Sequence, residues 1–299
     1  MNRRDWLVTS AAVTGSVLTT MRLQRRKYTR DLRPDRSRVA ILHIDQYSGK
    51  LDELVYEGLR LFNLNVRGKS VLLKPNIVEY IPGKPVNTDS QLIGAAAEAF
   101  LRLEAARVTV AEGPGHHRDT DLLVYETGLG EQLKPRSIRF VDLNRDELIK
   151  TQLQANYSGL DHLWLPRTVL ESDFIVSMPK VKTHHWTGVT LSMKNMFGII
   201  PGSRYGWPKN ILHWAGIPES ILDICATVRP QFVIADGIIA MKGDGPLNGT
   251  ETRLNQLVFS DDPVSADIAC VEALGFNPAQ VSYIREAARF LGNRNYEYL

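Results

Sequence analysis

The segment MPKVKTHHWTGVTLSMKNMFGIIPG, residues 178–202, combines three lysines with two adjacent histidines and three glycines. Lys180, Lys182 and Lys194 offer compact positive charge that suits a carboxylate, a phosphate or a similar anion. Thr183 and Asn195 lie beside these lysines in the chain and add hydrogen-bonding groups. The segment therefore predicts a binding site for a small anionic ligand.

Polar residues also follow other strands that the sequence predicts to be buried. Lys74 and Asn76 come after VLL, and Glu112 comes after VTVA. Asp236 comes after FVIA, and Lys180 comes shortly after FIVS. Ligands of open α/β sheets bind outside the carboxyl ends of the strands, so these residues are predicted to share one site.

The candidates for catalysis at this site are His184, Lys194 and Glu112. Lys182, His184 and Lys194 would hold or polarise the anion, and Glu112 or His116 would move a proton. Residues 187–197 are predicted to form a helix capped by Thr187, whose N-terminal amides would also favour an anion. No G-x-S-x-G motif marks a nucleophilic serine.

A divalent metal is a further candidate ligand. Adjacent histidines rarely bind the same metal ion, so a metal site would take one histidine from each of the two adjacent pairs, with carboxylates beside them. The candidate metal ligands are His116, His184, Glu112 and Asp236.

A second glycine-rich segment, ADGIIAMKGDGPLNGT, spans residues 235–250. Lys242 and Asp244 lie among its glycines and are predicted to bind the ligand. The segment lacks the GK[ST] ending of a P-loop, and the chain has no G-x-G-x-x-G fingerprint between a strand and a helix. Two interpretations remain open, a surface loop and a lid that wraps the ligand.

Strands and helices alternate along the chain from residue 38 onwards. Apolar runs such as RVAILHI and SVLLKPN alternate with helical apolar spacing such as SGKLDELVYEGLRLFNL. The alternation predicts a single α/β domain over residues 38–299, with a mostly parallel sheet covered by helices. The less patterned residues 144–171 are predicted to form an irregular, hairpin-like insertion.

The N-terminal segment has a different character. Arg3 and Arg4 precede Trp6 and a short run of small apolar residues, which resembles a bacterial twin-arginine export signal over residues 1–20. Residues 21–37 are polar and basic and are interpreted as a linker. Such a signal predicts an exported, periplasmic or cell-surface protein that uses the twin-arginine export machinery and has either a cleaved or a retained N-terminus. A disordered basic tail is the alternative.

Composition argues against three classes of protein. Residues 1–38 hold ten basic and three acidic residues, whereas the remainder holds 26 basic and 30 acidic residues, so nucleic-acid binding is not expected. No apolar run approaches the roughly 20 residues of a membrane span, so no integral membrane span is expected. Cys225 and Cys270 are too few to hold an iron–sulfur cluster.

Several motifs together resemble the domain of unknown function 362 family. They occur in the expected order between about residues 70 and 276: LLKPN, NTDSQLIGAAAEAFLRLEAARVTVAEGPG, MPKVKTHHWTGVTLSMKNMFGIIPG, MKGDGPLNG and DDPVSADIACVEALGF. The resemblance implies a shared ligand site but no established reaction. Some members carry ferredoxin-like iron–sulfur segments, and this chain differs from them because it lacks the cysteines.

The segment THHWTGVTLSMKNMFGIIPG is also loosely similar to the His…Gly…Lys…Pro-Gly segment of nickel-pincer lactate racemases. The similarity implies that His184 and Lys194 are the matching positions, and that hydride or proton transfer on a hydroxy acid is the chemistry.

Three functions remain open on these grounds. The first is an exported enzyme that acts on a small carboxylate or phosphate, with or without a metal. The second is a non-catalytic ligand-binding protein or a maturation accessory of an exported redox complex. The third is racemase-like chemistry on a hydroxy acid.

Overall fold

The structure is a computed structural model that describes residues 30–47, 49–115 and 118–299. The segment interpreted as an export signal, most of the linker, and the predicted metal ligand His116 with its neighbour His117 lie outside the described residues.

A large mixed sheet forms the centre of the described chain. In chain order the strands are β1 (Arg38–His43), β2 (Ser70–Pro75), β3 (Arg107–Glu112), β4 (Arg139–Asp142), β5 (Leu148–Gln152), β6 (His162–Pro166), β7 (Phe174–Met178), β8 (Lys180–His184), β9 (Gly188–Thr190), β10 (Phe232–Lys242), β11 (Thr250–Ser260) and β12 (Glu297–Tyr298). The sheet order is β12-β1-β11-β10-β7-β2-β3-β4, with β8 paired to β10 and β9 paired to β8. Strands β10, β7, β2, β3 and β4 run parallel, whereas β11 is antiparallel to both of its neighbours. The predicted mostly parallel α/β sheet is confirmed.

Helices connect the strands and cover both faces of the sheet. In chain order they are α1 (Leu51–Arg60), α2 (Ser90–Arg102), α3 (Thr120–Glu126), α4 (Leu129–Leu133), α5 (Arg167–Leu170), α6 (Ser192–Asn195), α7 (Gly202–Tyr205), α8 (Asn210–Ala215), α9 (Ile217–Val228), α10 (Pro263–Ala273) and α11 (Ser282–Ala287). Short 3-10 turns cover Lys134–Arg136, Met196–Ile199 and Pro278–Gln280. Within the described part of the chain, no helix is long and apolar enough to cross a membrane.

The sheet has an apolar layer on each face. Side chains alternate between the two faces of a strand, so Leu72 of β2 packs into one layer while Val71 and Leu73 pack into the other. The second layer includes Leu59 of α1 and Phe100 of α2. Because both faces are covered, the central strands are buried along most of their length and carry apolar residues on both faces, which is typical of parallel sheets.

The predicted insertion over residues 144–171 contains a small sheet of its own. Strands β5 and β6 pair antiparallel, with Leu148 opposite Pro166 and Gln152 opposite His162. The pair forms a hairpin-like unit outside the main sheet, and α5 follows it before the chain enters β7.

Two local predictions are wrong. Residues 187–197 do not form one helix, because Gly188–Thr190 pairs with β8 as strand β9 and the helix begins only at Ser192. The glycine-rich segment 235–250 is mostly strand, since β10 continues to Lys242 and β11 begins at Thr250. Only residues 243–249 form the connecting loop, and Asp236 lies inside β10 rather than at its end.

Candidate functional site

A cavity of about 250 Å³ lies where β2 and β3 end, beside β8 and β9. Its wall also includes residues of α6, of α8 and of the loop 243–249. Many residues predicted from the sequence line it: Asn76, Glu112, Lys182, His184, Lys194, Asn195 and Asp244. The structure therefore brings a large part of the predicted site together.

Lys194 differs from the other lysines of this wall in its lack of bonded partners within the described chain. Its ammonium has no hydrogen-bond acceptor and no carboxylate partner among the described residues, and its nearest ring is Phe197, whose centroid lies 5.8 Å from Nζ. Burial lowers the pKa of Lys194 to about 8. A lysine without a partner in a largely buried cavity is suited to pair with an anion supplied by a ligand.

Two further polar atoms of the wall lack partners within the described chain. They are Oδ1 of Asn76 and Oγ1 of Thr190, and both are buried. Asn76 is held by its backbone, since its amide donates to the hydroxyl of Thr88 at 2.9 Å. Buried polar groups are almost always hydrogen-bonded, so an unpaired pair of them in one cavity indicates a place where a ligand binds.

His184 is fixed in one tautomer. The amide of Trp186 donates to Nδ1 of His184 at 3.1 Å, so the proton of the neutral imidazole lies on Nε2. Burial lowers the pKa of His184 to about 2, and the charge of Lys194 adds to this effect. His184 is therefore a neutral hydrogen-bond donor at the cavity rather than a base.

Lys182 lies fully buried in the cavity wall. Its Nζ donates to the carbonyl of Val86 at 2.6 Å. Burial lowers the pKa of Lys182 well below its usual value, and the nearby charge of Lys194 lowers it further. Both effects act against the charged form of Lys182.

A buried ion pair between Lys74 and Glu112 joins the ends of β2 and β3 at the cavity. Nζ of Lys74 donates to Glu112 Oε2 at 2.7 Å and to Asn195 Oδ1 at 3.1 Å. Glu112 also accepts from the amides of Ile77 and Gly113, at 2.9 and 2.8 Å. Because its oxygens are occupied in this way, Glu112 positions the ends of β2 and β3 rather than facing a ligand.

Gly198 is required by this ion pair. A Cβ atom at this position would lie 2.7 Å from both Glu112 Oε1 and Lys74 Nζ. The Phe-Gly element of the sequence thus has a packing reason, namely close approach of the backbone to buried charges.

Lys209 is a site residue that the sequence did not reveal. Its Nζ lies at the cavity wall and donates to the carbonyls of Gly113, Phe197 and Gly198, at 3.1–3.2 Å. Burial lowers the pKa of Lys209 to about 7. The segment before α8 has neither strand nor helix periodicity, so nothing in the sequence pattern distinguishes Lys209 from a surface lysine. Thr190 was missed as well, because it was assigned to the predicted helix.

Lys180 and Asp236 form a separate buried cluster that does not line the cavity. Nζ of Lys180 donates to Asp236 Oδ2 at 2.8 Å, and the hydroxyl of Tyr47 donates to Asp236 Oδ1 at 2.6 Å. The amide of Asp89, at the start of α2, donates to the same carboxylate at 3.0 Å. This cluster fastens α2 to β8 and β10, and its charges are paired internally.

Two other predicted ligand-binding residues also lie off the cavity wall. The hydroxyl of Thr183 donates to the carbonyl of Gly243 at 2.9 Å, which fastens the loop 243–249. Nζ of Lys242 lies 5.4 Å from the ring centroid of Phe276. Asp244 does line the cavity, and its side chain is exposed.

The loop 243–249 is held against the site by His185. The imidazole Nδ1–H and the backbone amide of His185 both donate to the carbonyl of Gly245, at 2.8 and 3.2 Å. A Cβ atom at Gly245 would collide with the backbone of Thr183. The loop therefore wraps the cavity in close contact with β8.

The start of α6 is occupied by the protein itself. The carboxylate of Asp267 accepts from the amides of Ser192 and Met193, at 2.7 and 3.2 Å. Burial raises the pKa of Asp267 to about 7. The helix amides that were predicted to bind the ligand anion bind this internal carboxylate instead.

Among the described residues, no three His, Cys, Asp or Glu side chains lie close enough together to hold a metal ion. Glu112 and Asp236 each pair with a lysine, in the two different clusters described above. Cys225 and Cys270 are buried thiols within the apolar layer that lies under α9 and α10.

Comparisons with known proteins support the family resemblance. The family model described as a domain of unknown function (DUF362) matches residues 71–272. A thylakoid-associated protein of Synechocystis sp. is 25% identical over 224 residues, which cover 72% of this chain and 65% of that protein. The match thus spans less than two thirds of that relative's length.

Two solved structures show weak likeness to the fold. A crystal structure of a Thermotoga maritima protein has a TM-score of 0.44 and 12% identity, over 79% of this chain and 61% of that one. The lactate racemase apoprotein from Thermoanaerobacterium thermosaccharolyticum has a TM-score of 0.48 and 14% identity, over 80% of this chain and 57% of that one. Scores this low say nothing about a shared reaction.

The family match, in contrast, covers more than half of the chain, and it includes the cavity-lining residues from Asn76 to Asn248. The chain belongs to the family described as a domain of unknown function (DUF362).

Proposed function

We propose that this chain binds a small carboxylate anion in the cavity beside Lys194, and that it acts on this anion as an enzyme. The observation that carries the proposal is the ammonium of Lys194, which lacks a partner in the described chain and lines the same cavity as the unpaired hydroxyl of Thr190. A carboxylate would accept from Lys194 and from a hydroxyl donor such as Thr190.

The charge of the cavity favours a monoanion over a phosphate dianion. Glu112 is paired with Lys74, and the Nζ atoms of Lys182 and Lys209 already donate to carbonyls of the protein. Lys194 then supplies the ammonium that has no bonded partner in the described chain, and one carboxylate matches it. The exposed carboxylate of Asp244 lines the same cavity and disfavours a second negative charge on the ligand.

Calorimetric titration of the purified chain with acetate, propionate and inorganic phosphate tests the binding proposal. We expect a carboxylate to bind the wild type more tightly than phosphate does, and Lys194→Met to weaken that binding at least tenfold, because it removes a charge-assisted hydrogen bond. Lys150→Met, on the exposed surface of β5, is the matched control and should bind like the wild type. If no carboxylate binds, or if Lys194→Met binds equally well, the proposal is wrong.

Proton transfer at Cα of the bound carboxylate is the reaction that the site supports best. The ammonium of Lys194 would hold the carboxylate, while the amine form of Lys182 would take the Cα proton and return it, since burial lowers the pKa of Lys182 well below its usual value. Glu112 and His184 fit this role less well, since the oxygens of Glu112 and Nδ1 of His184 already accept hydrogen bonds within the protein.

Exchange of Cα–H for deuterium separates catalysis from binding alone. Propionate and a hydroxy acid such as lactate would be incubated with the chain in D₂O, and their Cα–H signals followed by NMR. Exchange that depends on Lys194 is the expected result, and on lactate it would also support racemase-like chemistry. Binding without exchange would contradict proton transfer and favour the non-catalytic alternative.

We also propose that the protein is exported by the twin-arginine route. The motivation is the Arg3-Arg4 pair ahead of Trp6 and Leu7. Cell fractionation of the wild type and of the double variant Arg3→Lys, Arg4→Lys tests this, with the periplasmic fraction as the readout. Equal distribution of the two proteins between the fractions would rule out twin-arginine export.

A further inference from the structure

Aromatic rings form a continuous series along one side of the cavity. The ring centroids of His184 and His185 lie 4.9 Å apart, and those of His185 and Trp186 lie 4.7 Å apart. Trp186 contacts His213 at 5.4 Å, and His213 contacts Phe197 at 5.9 Å. All five residues line the cavity together with Lys194, and these five rings form its aromatic mouth.

Hydrogen bonds hold two rings of the mouth. His185 is held by two hydrogen bonds to Gly245, and the amide of Trp186 donates to His184. The indole of Trp186 is 63% exposed and lies at 76° to the ring of His185 and at 75° to the ring of His213. A ligand that covers this exposed indole would stabilise the complex, because the free-energy gain scales with the apolar area removed from water.

We propose that the natural ligand is a carboxylate whose Cα carries an aromatic or heteroaromatic ring, and that this ring stacks at Trp186 and His213 while the carboxylate pairs with Lys194. This inference rests on the proposed function, since it assigns a substrate class to the same cavity. Flat rings prefer stacked or edge-to-face contacts with other rings, and the mouth offers both an exposed indole face and ring edges.

The size of the cavity agrees with a ligand of this kind. Its volume of about 250 Å³ lies just below the roughly 300–1,000 Å³ of sites for drug-sized ligands. A single ring that bears an acid group suits this space better than a larger cofactor does. An anion without a ring would leave the aromatic mouth uncovered.

Three carboxylates separate the contributions of charge, apolar area and ring stacking. Acetate tests the anion alone, cyclohexanecarboxylate adds apolar area, and benzoate replaces that area with a flat ring. Calorimetry on the wild type should show benzoate binding about 3- to 10-fold more tightly than cyclohexanecarboxylate, the range expected for an aromatic contact beyond area burial.

Substitutions at two tryptophans test whether the preference for benzoate arises at the aromatic mouth. Trp186→Leu should abolish the preference for benzoate over cyclohexanecarboxylate and leave acetate affinity unchanged, which also shows that the variant is folded. Trp186→Phe keeps a ring and should retain the preference. Trp214→Leu is the control, because Trp214 is 84% exposed and does not line the cavity.

The outcomes distinguish this inference from the proposed function. Binding of acetate as tight as that of benzoate, or a preference for benzoate that survives in Trp186→Leu, would overturn the aromatic ligand and leave the anion site standing. If none of the three carboxylates binds the wild type, the anion site itself is wrong.

Discussion

The lysines in and around the cavity differ in how completely they are bonded. Lys74, Lys180 and Lys209 each donate to two or three acceptors within the protein. Lys194, which is half-buried, has no such acceptor within the described chain, and Lys182 donates to a single carbonyl. The acceptors offset the cost of removing the first three ammonium groups from water, whereas the ammonium of Lys194 costs stability until a ligand anion pairs with it.

Lys194→Met should therefore stabilise the folded protein at pH 7. The pKa of Lys194 is about 8 in the folded protein and 10.5 in its usual environment, so the unfolded chain binds the proton more strongly. The cost of burying the charge is fully present below pH 8 and disappears as the pH rises towards 10.5. We expect a gain of about 1–3 kcal/mol at pH 7, measured by urea unfolding, which shrinks with rising pH. A loss of stability at pH 7 would contradict an unpaired Lys194.

Lys74→Met should have the opposite effect. It leaves Glu112 buried without its cation, which costs about 3–5 kcal/mol of folding free energy. The same unfolding experiment measures this change, with Lys150→Met on the exposed surface as a neutral reference. Equal stability of Lys74→Met and the wild type would show that the ion pair does not form.

Carboxylate affinity should depend on the protonation of Lys194. Because the ammonium is the binding form, affinity should be constant well below pH 8 and fall about tenfold per pH unit above it. Calorimetry with benzoate between pH 6 and 10 measures this profile. In Lys194→Met the weak residual binding should lose this pH dependence. A flat profile in the wild type would exclude Lys194 as the anion partner.

At the scale of elements, the wrong helix prediction has a clear cause. In the run TGVTLSMKNMF the apolar residues Val189, Leu191 and Met193 alternate, which is the pattern of a strand, and helical spacing begins only at Met193. Val189 and Thr190 are also β-branched and pair with β8. The helix is left with Ser192–Asn195, and its first amides are bound by Asp267 of α10. Asp267 therefore fixes the position of α6, the helix that carries Lys194.

Asp267→Ala tests this connection between α10 and α6. It leaves the amides of Ser192 and Met193 without their acceptor, which should lower the free energy of unfolding by about 1–3 kcal/mol. Carboxylate affinity should fall as well, because α6 carries Lys194. Asp267→Asn keeps one acceptor oxygen and should lie between the wild type and the alanine variant. If affinity is unchanged in both folded variants, the position of α6 does not depend on Asp267.

At the scale of the whole molecule, the sequence predicted the sheet and the carboxyl ends of β2 and β3, and Asn76, Glu112 and Lys194 do meet at one cavity. The sequence could not show that Lys180 and Asp236 lie outside that cavity. The apolar run after Asp236 lets β10 continue to Lys242, with an irregularity between Gly237 and Ile239, and no local pattern shows where such a strand ends. The sequence could not reveal the role of Lys209 either, because this role depends on three carbonyls that lie elsewhere in the chain.

The two hydrogen bonds that His185 donates to the carbonyl of Gly245 have a kinetic consequence. They join the loop 243–249 to the aromatic mouth, so the loop and the mouth should move as one unit and the indole of Trp186 is the part left to swing aside. Exposed side chains change rotamer within picoseconds to nanoseconds, much faster than loops open. We therefore expect association of benzoate to approach the diffusion limit, with a rate that falls in proportion to solvent viscosity in stopped-flow fluorescence. A slow, viscosity-independent step would show that the loop must open instead.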